Sequence, residues 1–230
     1  MTDTADASTE SPRSRGTAVE RVLDHLREGI LNGRFAPGQR LIEAELTHDL
    51  NISRSTLREA FSRLSAEGLI EIVPNRGALV RRLSFRETLE LFEIRTELES
   101  LATRLAAERI DDDGVRAHFE AATAPIWDDA PRLSAAAYLE ENARFHNAVV
   151  DASGNRQLGS VSRQLQLPLI MSQIGPALTA DILANSVTEH RQIAEAILSG
   201  RAADAETIMR SHLTRAAELT REMPATTFRR

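Results

Sequence analysis

The chain has 230 residues, 42% of them hydrophobic, with a formal net charge of −6 and no cysteine. That length and composition give enough apolar surface for two modest domains, and the lack of cysteine excludes disulfides, thiolate metal sites and a cysteine nucleophile. No apolar run approaches bilayer-spanning length.

The charge is unevenly placed. Residues 13–82 hold 12 Arg against 9 acidic residues (+3), residues 83–230 hold 16 Arg against 22 (−6), and residues 1–12 carry −3. A mildly basic module followed by an acidic body is the asymmetry expected when only one end meets phosphate. Residues 1–16 (MTDTADASTESPRSRG) lack the charged-then-apolar order of a secretory signal and read as a disordered tail, which fits a cytoplasmic, nucleoid-associated protein.

In chain order, residues 17–33 predict an amphipathic helix with Val19, Val22, Leu23, Leu26 and Ile30 on one side, ended by Asn32-Gly33. A turn at Phe35-Ala-Pro-Gly leads to a short helix near 42–49. Ser53 is positioned to cap a helix over 54–67, and Gly68 to stop it. At about 100° per residue, Arg54, Ser55, Arg58 and Ser62 share one arc of that helix, and Leu57, Ala60, Phe61 and Leu64 another. Such a helix rests on a core and offers donors to phosphates and base edges. Strands at 69–73 and 78–83, turned by Pro74-Asn75-Arg76-Gly77, predict a two-stranded hairpin. The module of residues 17–82 therefore reads as a DNA-binding winged helix-turn-helix. Arg54 and Arg58 are either phosphate or guanine ligands, or solvated arginines, one paired with Glu59 or Glu67. Arg76 at the hairpin tip is a candidate phosphate contact; Arg81 and Arg82 fit equally well as a charged strand edge that discourages aggregation.

From residue 83 to 222 helical periodicity dominates. Ser84 and Glu87 predict a capping box for a helix over 85–109. Helices at about 113–123, 133–152, 156–174, 178–198 and 201–222 follow, with a loop at 125–131 and a tail at 223–230. The fold class is thus mainly α: a winged helix-turn-helix with a small β-hairpin, then an antiparallel all-α bundle.

His146, His190 and His212 each fall on the apolar stripe of a different helix. Three inward imidazoles need partners, because buried unpaired polar groups are costly. A divalent metal ion such as Zn²⁺ or Ni²⁺ satisfies neutral imidazoles together, with Asn142, one turn before His146, as a fourth, neutral ligand. A polar pocket holding water or ligand is the alternative. Arg95 shares a stripe with Leu91, Leu98 and Ala102 and needs an anion if buried; Glu99, one turn on, is one choice and a bound carboxylate the other. A metal and an arginine together favour a small organic acid, its carboxylate and hydroxyl oxygens completing the coordination. No HExxH pattern, phosphate-binding glycine loop or paired acid/base set appears, so the chain is not read as an enzyme. A metal-dependent enzyme fused to a DNA-binding module is a minor alternative. A constitutive dimeric DNA-binding protein with a purely structural bundle is another; it requires an empty, apolar bundle interior.

The order PG-x-x-L, E-x-x-L, S-R-x-x-L-R-E-A, L-x-x-E-G-L and N-R-G across residues 37–77 resembles the DNA-binding domain of GntR-type bacterial transcription regulators. EIRTELE at 93–99, FHNAVVDASGN at 145–155, His190 and His212 resemble the FCD ligand-binding domain of the FadR subfamily; together the resemblance covers about residues 17–220. It implies a homodimer on a pseudopalindromic operator, with a small molecule in the helical domain changing the placement of the DNA-binding modules, most often in repression. It also implies DNA contacts by Ser53, Arg54, Ser55, Thr56 and Arg58, with Gly77 at the wing tip in the minor groove. Some relatives carry an arginine contact where this chain has Ala44. Metal-binding FCD domains have three histidines and an aspartate; Asn142 stands at the aspartate position, which removes a negative charge. The arginine matching Arg95 binds the effector carboxylate in such domains.

Overall fold

The computed structural model describes residues 12–31, 33–74, 76–129, 135–164 and 167–229. They form two compact units, one running through Ile30 and over Arg34–Arg81, the other holding Leu31–Gly33 and Arg82 onward. Residues 1–11 of the expected tail lie outside the described residues, while residues 12–16 belong to the first helix, α1 (Pro12–Leu31).

In the first unit, α1 buries Val19, Val22, Leu23, Leu26 and Ile30, the stripe its periodicity predicts. The next elements are β1 (Arg40–Leu41), α2 (Glu43–Asp49) and α3 (Arg54–Ala66). α3 buries Leu57, Ala60, Phe61 and Leu64; each large side chain of this set contributes about 1.5–3 kcal/mol by leaving water. Arg27 of α1 reaches Glu67 at 2.6 Å and Arg63 of α3 reaches Glu20 at 2.5 Å. These half-exposed pairs align the two helices more than they stabilise them. The turn between α2 and α3 puts Asn51 at φ 49°, a left-handed conformation that asparagine tolerates. Ser53 caps α3 by accepting from the Thr56 amide at 3.1 Å.

β2 (Ile70–Val73) and β3 (Gly77–Val80) make the expected hairpin, but β1 adds a third strand in the order β1-β3-β2, all antiparallel. Its register, Arg40↔Leu79 and Leu41↔Ala78, covers one edge of β3. Two residues are too few to show alternation, so this strand leaves no trace in the sequence pattern.

The second unit is helical. α4 (Phe85–Glu108) opens on the expected capping box: the Ser84 hydroxyl accepts from the Glu87 amide at 3.2 Å and the Glu87 carboxylate from the Ser84 amide at 2.8 Å. α5 (Val115–Thr123) runs into a 3-10 turn, Ala124–Trp127, where a loop was expected. α6 (Ala135–Ala152) follows, then α7 (Arg156–Gln164) and α8 (Leu167–Ile174), within the span of one predicted helix; residues 165 and 166 between them lie outside the described residues. α9 (Ala180–Leu198) and α10 (Ala202–Arg221) complete the bundle. The pairs Arg210–Glu97 (2.5 Å) and Arg104–Glu206 (3.4 Å) show α10 lying antiparallel on α4. Phe119, Phe145, Ile193, Ile197, Met209 and Leu213 fill the core between alanines of α4. The last residues pack: Phe228 is buried with its ring 5.3 Å from that of Phe85, and the Arg229 amide donates to Leu83 at 2.9 Å.

Candidate functional site

The first unit presents the N-terminal half of α3. Arg54, Ser55 and Arg58 are exposed, as is Ser53 before them. Ser53 Oγ lies 2.8 Å from both Ser55 Oγ and Thr56 Oγ1, a hydroxyl cluster at a helix N-terminus where backbone amides favour an anion. Arg58 pairs with neither Glu59 nor Glu67. Its Nε and Nη2 reach the Glu43 carboxylate at 3.2 Å, and its side chain stays 68% exposed, so α2 orients a guanidinium that still faces solvent. Ala44 is exposed beside it and offers no donor.

Two residues expected at the DNA contact are buried. Thr56 is only 2% exposed, and its hydroxyl serves Ser53 rather than the surface. Gly77 is buried at the start of β3 with φ +87°; a Cβ there would lie 2.3 Å from the Leu41 carbonyl oxygen. Glycine is needed because the Leu41 carbonyl of the paired β1 lies against that point, and the described part of the hairpin tip is Pro74 and Arg76, both exposed.

In the second unit α6, α9 and α10 bring His146, His190 and His212 together, exposed 6%, 0% and 4%. The ring centroids are 4.8–5.6 Å apart, and one nitrogen from each ring lies within 4.8 Å of the others. His190 stacks on Phe145 at 4.2 Å. His146 Nδ1 is hydrogen-bonded to the Glu99 carboxylate. His212 Nδ1 donates to Glu189 at 2.6 Å. A carboxylate only accepts, so both rings carry their proton on Nδ1 and keep the Nε2 lone pair. His146 Nε2 and both nitrogens of His190 are buried without a partner.

Each carboxylate is clamped by an arginine. Arg95 Nε donates to Glu99 at 2.6 Å, both residues being 3% exposed or less. Arg215 grips Glu189 through Nε and Nη2, both at 2.5 Å. Burial alone would raise Glu99; Arg95 and His146 overcome it and hold the carboxyl down at about 2. Burial pushes His146 down to about 4 against the upward pull of Glu99, and likewise depresses His190 well below the ordinary imidazole range and His212 below it. The trio is therefore neutral at neutral pH, which is the form that ligates metal.

His146 and His212 border a pocket open to solvent, about 420 Å³ of empty space with the open solvent at its mouth included. Arg95, Arg215, Asn142, Tyr138 and Ser186 supply the rest of its polar wall. Tyr138 donates to Ser186 at 2.7 Å, and its hydroxyl is 3.4 Å from Asn142 Oδ1. The unpartnered nitrogens and the neutral rings fit a divalent ion held by His146, His190 and His212, with Glu99 and Glu189 orienting two of them. The sequence alone did not reveal Glu189, Arg215 or Ser186 at this site. Arg215 is three residues from His212 on the same helix, but its link to Glu189 needs the pairing of α9 with α10. Gln173, also unforeseen, is 6% exposed on α8 between the pocket residues Met171 and Ile174. It accepts from the Leu83 amide at 2.8 Å and donates to the Leu83 carbonyl at 3.0 Å.

Comparison with known proteins agrees with this division. Residues 18–80 match the family model described as bacterial regulatory proteins, gntR family, and residues 90–215 match the FCD domain. The chain is 31% identical over 208 residues to a probable D-xylose utilization operon transcriptional repressor of Paenarthrobacter nicotinovorans, covering 90% of each. It is 34% identical over 131 residues to the Nta operon transcriptional regulator of Aminobacter aminovorans, covering 57% of this chain and 61% of that one. In fold it resembles a putative GntR transcriptional regulator from Rhodococcus sp. RHA1, with a TM-score of 0.76 at 21% identity, covering 90% of this chain and 99% of that one. The chain therefore belongs to the GntR family of bacterial regulatory proteins: a ligand-responsive DNA-binding transcription regulator with an N-terminal winged helix-turn-helix and a C-terminal FCD domain.

Proposed function

We propose that the chain is a homodimeric cytoplasmic repressor that reads a pseudopalindromic operator through α3 and the hairpin tip, and that a carboxylate effector in the second unit's pocket controls that binding. The observation that carries the sensing part is the cluster of three neutral imidazoles, two of them with unpartnered nitrogens, beside a pocket that His146 and His212 border and that also receives two arginines. The constitutive reading needs an apolar bundle interior, and this one is polar at its centre.

On the DNA side, Arg54 and Arg58 supply fork-shaped donors suited to phosphate or guanine, and the Ser53–Ser55 hydroxyls sit at the helix N-terminus beside them. Arg76 extends the contact to the hairpin. Two-fold symmetry of the dimer demands paired half-sites. On the sensor side, His146, His190 and His212 would hold Zn²⁺ or Ni²⁺, with the Asn142 amide oxygen as a weaker neutral donor. The bound ion supplies a Lewis-acid position for an effector oxygen. Arg95 spends only its Nε on Glu99, which leaves its terminal nitrogens for the carboxylate. Tyr138 and Ser186, hydrogen-bonded to each other in the same pocket, orient the acid. α8 connects pocket to backbone: Met171 and Ile174 touch the cavity and Gln173 between them holds Leu83, two residues beyond the end of the first unit. An effector shifts the equilibrium only by its differential affinity for the two placements of the DNA-binding modules.

The test is operator binding by full-length protein on genomic fragments at fixed salt. Arg54→Ala and Arg58→Ala should each abolish specific binding while leaving the circular dichroism spectrum unchanged. An operator affinity that neither substitution alters contradicts the assignment of α3.

A further inference from the structure

We infer that the effector is a monocarboxylic acid with an apolar body, its carboxylate against Arg95 and Arg215 and its body lying along the pocket toward Met223; this rests on the carboxylate-effector reading above and narrows its chemical class. The pocket is polar at one end only. Along α9, His190, Ser186 and Ile182 follow at one-turn spacing, so hydrogen-bonding capacity is gone within about 12 Å of helix. Along α10, running the other way, His212 and Arg215 give way to Leu219 and then Met223, and Ala216 and Leu213 lie on the same wall. Ile174 and Leu178 close the same end from α8 and the turn that follows it. Among the described residues, no side chain lining that half donates or accepts a hydrogen bond, apart from the weak acceptor sulfur of methionine.

This distribution decides between ligand classes. A hydrophilic polyacid or sugar acid filling the pocket would set hydroxyls or a second carboxylate against Ile182 and Leu219, where they lose water and gain no partner. An alkyl or aryl body gains by burial there. The polar end is built for one head group. Arg95 keeps its two terminal nitrogens, and Arg215, with Nε and Nη2 committed to Glu189, keeps Nη1. Arg215 is thereby assigned as a second carboxylate-binding residue, and Ile182, Leu219 and Met223 as the residues that set chain length.

The experiment is calorimetric titration of full-length protein, in zinc-containing buffer, with acetate, butyrate, hexanoate, octanoate and phenylacetate, and with citrate and gluconate as hydrophilic comparators. Affinity should rise about fourfold for each added methylene up to the length of the pocket, with citrate and gluconate weaker than hexanoate. Leu219→Gln, at a half-buried position, should flatten the chain-length slope. Arg215→Gln should weaken every acid of the series by a similar factor. Tighter binding of citrate or gluconate than of octanoate, or a slope that Leu219→Gln does not alter, overturns this inference while the carboxylate reading stands. Binding of none of these acids overturns both.

Discussion

Replacing Glu99 by Gln isolates the group that links guanidinium to imidazole. The substitution preserves shape, so it opens no cavity, but it removes the charge from a pair whose side chains are 4% and 2% exposed. Arg95 is then left as a buried cation without its anion, a change that costs about 3–5 kcal/mol because neither solvent nor salt screens it. The amide creates a second problem at His146. Its oxygen faces Arg95 to accept from Nε, which turns the NH₂ toward His146 Nδ1. That ring must now accept at Nδ1 and carry its proton on Nε2, the nitrogen a metal needs. Metal affinity should fall about 10–100-fold or more. Urea denaturation of chelator-treated protein reads the first effect, and competition with a chromogenic chelator reads the second. Glu97→Gln, which breaks the exposed pair with Arg210, is the control and should leave both readings close to wild type. A Glu99→Gln protein with wild-type stability refutes the buried pairing. One with wild-type metal affinity refutes the role of Glu99 in setting the tautomer.

Other outcomes follow from the same geometry. Gly77→Ala forces a Cβ against the Leu41 carbonyl at a positive φ; it should destabilise the first unit by about 1–3 kcal/mol or more and weaken operator binding, with metal content unchanged. Phe61→Ala removes a side chain 2% exposed and should cost about 3–5 kcal/mol; a smaller shift in the first unit's denaturation midpoint than Gly77→Ala gives would contradict the placement of its core. Stability of the metal-free protein should fall as pH is lowered from 6.5 to about 4. There the unfolded chain takes up a proton that folded His146 refuses, and His190 and His212 act in the same direction. Below 4.5 the loss continues toward about 2, as the favourable ionisation of Glu99 is titrated away. A denaturation midpoint that is flat from pH 7 to 4.5 would show the imidazoles to be solvated.

Periodicity made most of the fold legible. The α3 stripe of Leu57, Ala60, Phe61 and Leu64, the Ser84–Glu87 capping box and the inward histidines are local patterns, and each is found in the structure. What escaped were features made by chain segments meeting. β1 is two residues long and exists only because β3 pairs with it. Glu43 reaches Arg58 across the helix-turn-helix, whereas local spacing had suggested Glu59 or Glu67. Glu189 is next to His190 in sequence yet serves His212, because the pairing of α9 with α10 chooses its neighbour. Thr56 and Gly77 stand in a motif that implies DNA contact; their burial follows from a helix cap and from the pairing of β1 with β3, which the motif does not display. The apolar end of the pocket was also invisible, since its residues on three helices look like ordinary core.

The most direct measurement is the metal content of purified full-length protein by mass spectrometry of the elements, beside the His146→Ala/His190→Ala/His212→Ala triple variant. One divalent ion per chain is expected in the wild type after exposure to zinc or nickel, and none retained by a folded triple variant. A wild-type protein that takes up no stoichiometric ion, or a triple variant that holds it as tightly, would contradict that expectation.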